Sequence, residues 1–212
     1  MFLLNWFLLF LHRRAGAKLR AAGRMAPEKI ADEAVTMASA GGWKIHIDPE
    51  WRRLIGYEKL PTTEQDRIFN EVICTALITV YAGLDETIPH LPGERRDFWR
   101  SVRNAFYPAY QRWQKNNGIV DQAIHDWKKL FDLRFEEYHQ AQPDTYEKFR
   151  DELPRLRSDD DRQATVRVMT LAAMTMLHVN RGQKFPNDLL SVRCLQKHLG
   201  YLAKENWRRF GW

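Results

Sequence analysis

Glu136 and His139 stand three residues apart, the spacing that sets a carboxylate and an imidazole on one side of a helix. In di-metal helical bundles two such Glu-x-x-His pairs and two further glutamates, all directed inward, hold the ions. This chain has a single pair. His125 and Asp132 extend it to a row of four ligand-type side chains, His125, Asp132, Glu136 and His139, on one helix. On a helical wheel Glu136 and His139 lie roughly 90–150° from the apolar face made by Trp127, Phe131 and Tyr138. The row is therefore expected to be a solvated polar face, with a surface metal site and a helical metalloenzyme as the alternative.

The nucleophile candidates are Cys74 and Cys194, both in apolar helical runs. Either would need a histidine beside it in space and an oriented third group, which spacing alone does not supply. His46, His90, His178 and His198 each read as surface, cap or boundary residues. There is no Cys-x-x-Cys pair, no glycine-rich phosphate loop and no serine in a nucleophile-elbow context. No catalytic residue is assigned, no cofactor is expected, and the reading leans away from an enzyme.

Basic and aromatic side chains give a stronger pattern. Arg96, Arg100, Arg103 and Tyr107 share one row of a helix over about 94–115. Arg193, Lys197, Tyr201, Lys204 and Arg208 share one row of the last helix, with Trp207 beside it. Arginine and lysine neutralise phosphates, and aromatic rings offer stacking surfaces to unpaired bases. The chain carries a net charge of +6, unevenly distributed. Residues 119–161 hold 7 basic and 12 acidic groups, whereas residues 162–212 hold 9 and 2. Such polarisation favours an anionic partner, either nucleic acid or an acidic protein subunit. The expected function is non-catalytic binding or assembly through these basic-aromatic faces.

The N-terminus suggests a membrane alternative. Residues 2–11 contain one polar residue, Asn5, and residues 13–24 carry five basic and no acidic groups. Ten residues are too few to span a bilayer, which takes ~20. An interfacial anchor would place Phe2, Leu3, Trp6 and Phe7 in the membrane and the basic groups of residues 2–24 on anionic headgroups. Packing against the body of the protein, or cleavage as a targeting segment, are the other readings. Two unpaired cysteines suit an intracellular reducing compartment. A membrane-associated or organellar location stays open through the N-terminus.

The elements that must position these residues read as helices throughout. The spacing predicts an all-α fold, an irregular bundle of five or six helices over residues 49–212. A short extension over residues 1–48 precedes it, with an apolar start, a basic linker and a short helix from Glu28 to Ser39 opened by Pro27. The run from Thr165 to Val179 is apolar on every side of a helical wheel, so it is expected to be the buried central helix, at about 160–180. Thr62 and Gln65 suggest a capping box. Pro108 is expected to kink its helix, and Gln142-Pro143-Asp144 to start a new one. Asp48-Pro49-Glu50 and Ser158 are expected to start helices. Trp43 to Asp48 alternates apolar and polar, the one strand signal in the chain.

Overall fold

Helix follows helix through the chain: α1 (Pro27–His46), α2 (Pro49–Leu54), α3 (Thr62–Thr87), α4 (Gly93–Asn116), α5 (Asp121–Lys148), α6 (Asp159–Val179) and α7 (Asp188–Phe210). Short 3-10 turns lie at Tyr57–Lys59, Ile88–His90 and Leu153–Arg155. The structure is a computed structural model, which describes residues 25–156, 158–183 and 188–210. The candidate anchor residues Phe2, Leu3, Trp6 and Phe7 lie outside the described residues. The all-α bundle read from the sequence is the fold the chain adopts, and no strand occurs among the described residues.

The expected centre moves. α6 is a core helix and buries Val166, Leu171, Ala172, Met176 and Val179, but Ala173 is exposed and Leu177 is 56% exposed. The position enclosed on every side belongs to α3, where residues 71–80 are all buried. α3 packs against α1, α4, α5, α6 and α7, whereas α6 packs mainly on α3, α5 and α7. An all-round apolar wheel signals a core helix. The number of neighbours around it is a property of the assembly.

α1 contains the expected short helix after Pro27 and extends it through the expected strand. Ala31, Ala34, Val35, Ala38, Gly42 and Ile45 recur at three- and four-residue steps and are all buried. This helical period carries straight through Gly41-Gly42 and through the alternating residues that follow. The face packs on α3 and α4, so residues 27–46 share one core with the helices after residue 48. At Gly42 the α1 backbone lies close against α3. A Cβ there would sit 2.8 Å from Ile73 Cδ1, 3.1 Å from Ile73 Cα and 3.2 Å from Ala76 Cβ.

Two local expectations are also corrected. The capping box at Thr62 does not form, because α3 starts at Thr62 itself, after Pro61. Gln65 instead donates to the carbonyls of Tyr57 (3.2 Å) and Leu60 (3.1 Å) and ties the preceding turn to α3. α5 runs unbroken through Pro143 to Lys148, where a new helix was expected. The donor lost at proline is offset next door, where Gln142 Nε2 donates to Glu86 Oε1 (3.0 Å) and to Tyr138 Oη (2.8 Å). α4, as expected, runs through Pro108, which lies on its exposed side. The other two starts are as expected: Asp48 caps α2 by accepting from the Trp51 N–H (2.8 Å), and Ser158 caps α6 by accepting from Asp161 (3.1 Å).

Because a valine at position 42 must push α1 off α3, Gly42→Val should cost about 2–3 kcal/mol. For a chain of this size that lowers the thermal midpoint by roughly 4–12 °C. A calorimetric midpoint unchanged from wild type would show that the α1–α3 contact is not tight.

Candidate functional site

Two carboxylates inside the bundle are the first groups to test for chemistry. Glu71 and Glu86 are both on α3 and both face α5 and α6. Glu71 is 5% exposed and takes a two-pronged contact from Arg134 of α5, at 2.7 and 2.9 Å. Arg134 also donates to Glu137 (2.9 Å), which in turn lies 2.9 Å from His178 Nε2. Glu86 accepts from Tyr138 Oη, from Gln142 and from Arg167 of α6 (2.6 Å). Burial, followed by the neighbouring Glu86 charge, pushes the Tyr138 hydroxyl well above the usual phenol range, so it stays a donor. Every carboxylate in these networks has a cationic or hydrogen-bonding partner from the protein. The cavity beside Glu71 and Arg134 encloses about 10 Å³, about the minimum for one water. Both networks are therefore helix-to-helix ties, and the cavity beside the Glu71 network has no room for a substrate.

The four ligand-type residues of α5 do not come together. Asp132 accepts from Lys128 (2.5 Å), Glu136 accepts from Gln140 (3.0 Å), and the His139 ring packs on Phe135 with centroids 4.4 Å apart. His125 is exposed. A single helix spreads these side chains over about 21 Å, and a second helix would have to close the site. Among the described residues one group of three metal-type donors does converge, Asp48, Cys194 and His198, with ligand atoms all within 4.8 Å of one another. Cys194 and His198 are one turn apart on α7, and His198 Nε2 lies 3.2 Å from Asp48 Oδ2. Burial raises the Cys194 thiol to about 11, so at neutral pH it is a thiol rather than a nucleophilic thiolate. Cys74 is fully buried and its thiol is pushed higher still.

The two basic rows have different fates. In α4, Arg103 pairs with Asp85 of α3 and lies over the Tyr81 ring (5.2 Å). Arg96 donates to the Leu91 carbonyl (2.9 Å) and Arg100 to Asp97 (2.9 Å). Tyr107 is half-buried beneath Lys128, whose Nζ is 4.9 Å from the ring centre. That row is largely neutralised by the protein itself. In α7, Arg193, Lys197, Tyr201, Lys204 and Arg208 are all exposed, Tyr201 by 60%. Arg208 pairs with Glu205 (2.8 Å), whereas Arg193, Lys197 and Lys204 make no ion pair among the described residues. The opposite face of α7 anchors it through Leu195, Leu199, Leu202 and Phe210. Exposed Trp207 flanks the row. α4 and α7 both pack on α1 rather than mainly on one another.

Sequence reading missed a cleft of about 440 Å³ between the end of α2, the start of α3, the end of α6 and the start of α7. Arg67 in it donates to the carbonyls of His178 (2.8 Å) and Val179 (2.9 Å), closing the C-terminus of α6. Arg181 pairs with Glu64. Arg53 and Lys59 on its rim are exposed and make no ion pair among the described residues. The cleft adjoins the N-terminal end of α7 through Asp188 and Ser191. No local signal marks Arg53 and Lys59, because their proximity to α7 is a long-range contact.

The chain matches no family model, no curated protein and no solved structure.

His46 also departs from its expected surface position. It is 9% exposed, its ring packed edge-on against Tyr57 (5.2 Å) and Phe69 (4.9 Å). Burial, and then the Arg52 charge, lower its pKa below the ordinary 6.5. A depressed imidazole contributes stability above the unfolded value and loses it as pH falls below about 6.5 towards the folded value. The thermal midpoint should thus drop more between pH 7 and 5 in wild type than in His46→Gln, and parallel pH profiles would count against this. Removing one arm of the Glu71 network, as Arg134→Ala, leaves a buried carboxylate unpaired and should cost about 3–5 kcal/mol. That is a midpoint at least ~6 °C lower, and a shift under ~2 °C would mean that water replaces the arginine.

Proposed function

We propose that the protein is a non-catalytic helical binding protein that presents the outer face of α7 to an anionic macromolecule, with single-stranded nucleic acid as the partner that fits best. The observation that carries this reading is the set of exposed cations Arg193, Lys197 and Lys204, which make no ion pair among the described residues, in line with exposed Tyr201. The row from Arg193 to Arg208 runs for about 22 Å along the helix. It occupies about 80° of the wheel, with Trp207 at its edge. Cations in line track a phosphate backbone, and an exposed ring between them accepts a base in any sequence context. The α4 row contributes little, since Arg103 already neutralises Asp85.

The acidic-subunit reading rests on the same cations and lacks a role for the exposed rings. The membrane reading draws support from exposed Leu189, Leu190 and Trp207 beside the cations. α3 with the turn after it is long and apolar enough to cross a membrane, but it is the centre of the core, with 78% of its most apolar stretch buried.

The test is a titration of fluorescent single-stranded RNA with the full chain at about 50 and about 200 mM salt. Four neutralised phosphates on a single strand predict a loss of affinity of roughly 50-fold between the two. Arg193→Glu with Lys197→Glu should weaken binding at least about tenfold and flatten the salt dependence, whereas Arg100→Glu should leave both nearly unchanged. No saturable binding at the lower salt rejects nucleic acid. Flotation with anionic vesicles, lost in the same double variant, would put a membrane surface in its place.

A further inference from the structure

We propose that Asp48, Cys194 and His198 form a Zn²⁺ site that pins α7 to the corner between α1 and α2. The inference is separate from the outer-face reading, because these side chains lie on the inner flank of α7.

The donor set is the first argument. Thiolate, imidazole and carboxylate are the three side-chain types that bind Zn²⁺, at about 2.3, 2.0–2.1 and 2.0–2.2 Å. A tetrahedral ion at these distances holds its ligand atoms about 3.5 Å from one another. Asp48 Oδ2 and His198 Nε2 are already 3.2 Å apart, and all three ligand atoms fall within 4.8 Å of one another. Small side-chain rotations complete the geometry without moving a helix.

Two of the ligands are held on rigid elements. Cys194 and His198 are four residues apart on α7, so both point to one side of a regular helix anchored by Leu195 and Leu199. Asp48 is fixed by its other oxygen: Oδ1 accepts the Trp51 N–H as the cap of α2, which leaves Oδ2 directed at His198. A ligand carboxylate oriented by a backbone donor is a typical outer-shell arrangement of metal sites. The His198 and Asp48 side chains are 25% and 24% exposed, so an ion can enter and a water can take the fourth position. On binding, the Cys194 Sγ proton leaves to solvent and the sulfur lone pair goes to the metal. Three protein ligands and one water make the site an open one.

The experiment uses the full chain, stripped with chelator and titrated with Co²⁺, then with Zn²⁺. The expected result is one Co²⁺ per chain with a thiolate-to-cobalt charge-transfer band in the near ultraviolet, displaced by one Zn²⁺. Cys194→Ser should abolish that band, and His198→Ala should weaken Zn²⁺ binding at least 100-fold. Asp48→Asn keeps an oxygen to cap α2 but loses the ligand charge, so it should weaken Zn²⁺ while circular dichroism stays that of wild type. A folded wild type that shows no charge-transfer band overturns the proposal, as does an unchanged spectrum in Cys194→Ser. The readout is the metal on the free protein, so it is independent of the RNA titration.

Discussion

Two carboxylates of the central helix, buried Glu71 and largely covered Glu86 near its C-terminal end, dictate much of this bundle. Glu71 and Glu86 lie on α3, which is surrounded by five other helices and has little access to water. A buried carboxylate without a partner costs several kcal/mol, so each must be met by groups from neighbouring helices. Arg134, Tyr138 and Gln142 of α5 and Arg167 of α6 meet them. Apolar contact alone allows helices to slide and rotate. These charge-assisted bonds are directional, and they set the register of α5 and α6 against α3 at both ends of the buried stretch.

The opposite side of α3 is held by shape. Small residues of α1, with Gly42 close against α3, let two backbones come together over Ile73 and Ala76. α3 thus has one polar side and one small-residue side, and the bundle is asymmetric about it. α7 closes the arrangement from outside. It buries one leucine-rich face and is left with a wide solvent face, on which the exposed cations stand.

Helical faces were readable from the chain because they depend on spacing. The apolar steps of α4, α5 and α7, the Ser158 and Asp48 caps and the exposed cationic row of α7 all follow from which side of a 3.6-residue repeat a side chain occupies. The same local reading failed where two periods fit one segment. Trp43 to Asp48 alternates like a strand, yet Gly42, Ile45 and His46 complete the buried stripe that starts at Ile30. It also failed at Pro143, where tertiary bonds to Gln142 hold the helix through a residue that breaks helices in isolation. The ligand row of α5 lies on one face, but among the described residues no donor from a second helix joins it to close a metal site.

The amino-acid sequence by itself determined that this is an all-α protein, where most of its helices lie, and which cations share a helix face, because these are set by interactions within a few residues. Only the tertiary structure decided which helix sits at the centre. It also decided that Arg103 is neutralised by Asp85 while Lys197 is left exposed, and that Asp48 meets Cys194 and His198. Charge pairing and ligand convergence depend on distances across the fold. Two residues far apart along the chain come within bonding distance only when the apolar faces of all the helices between them have packed.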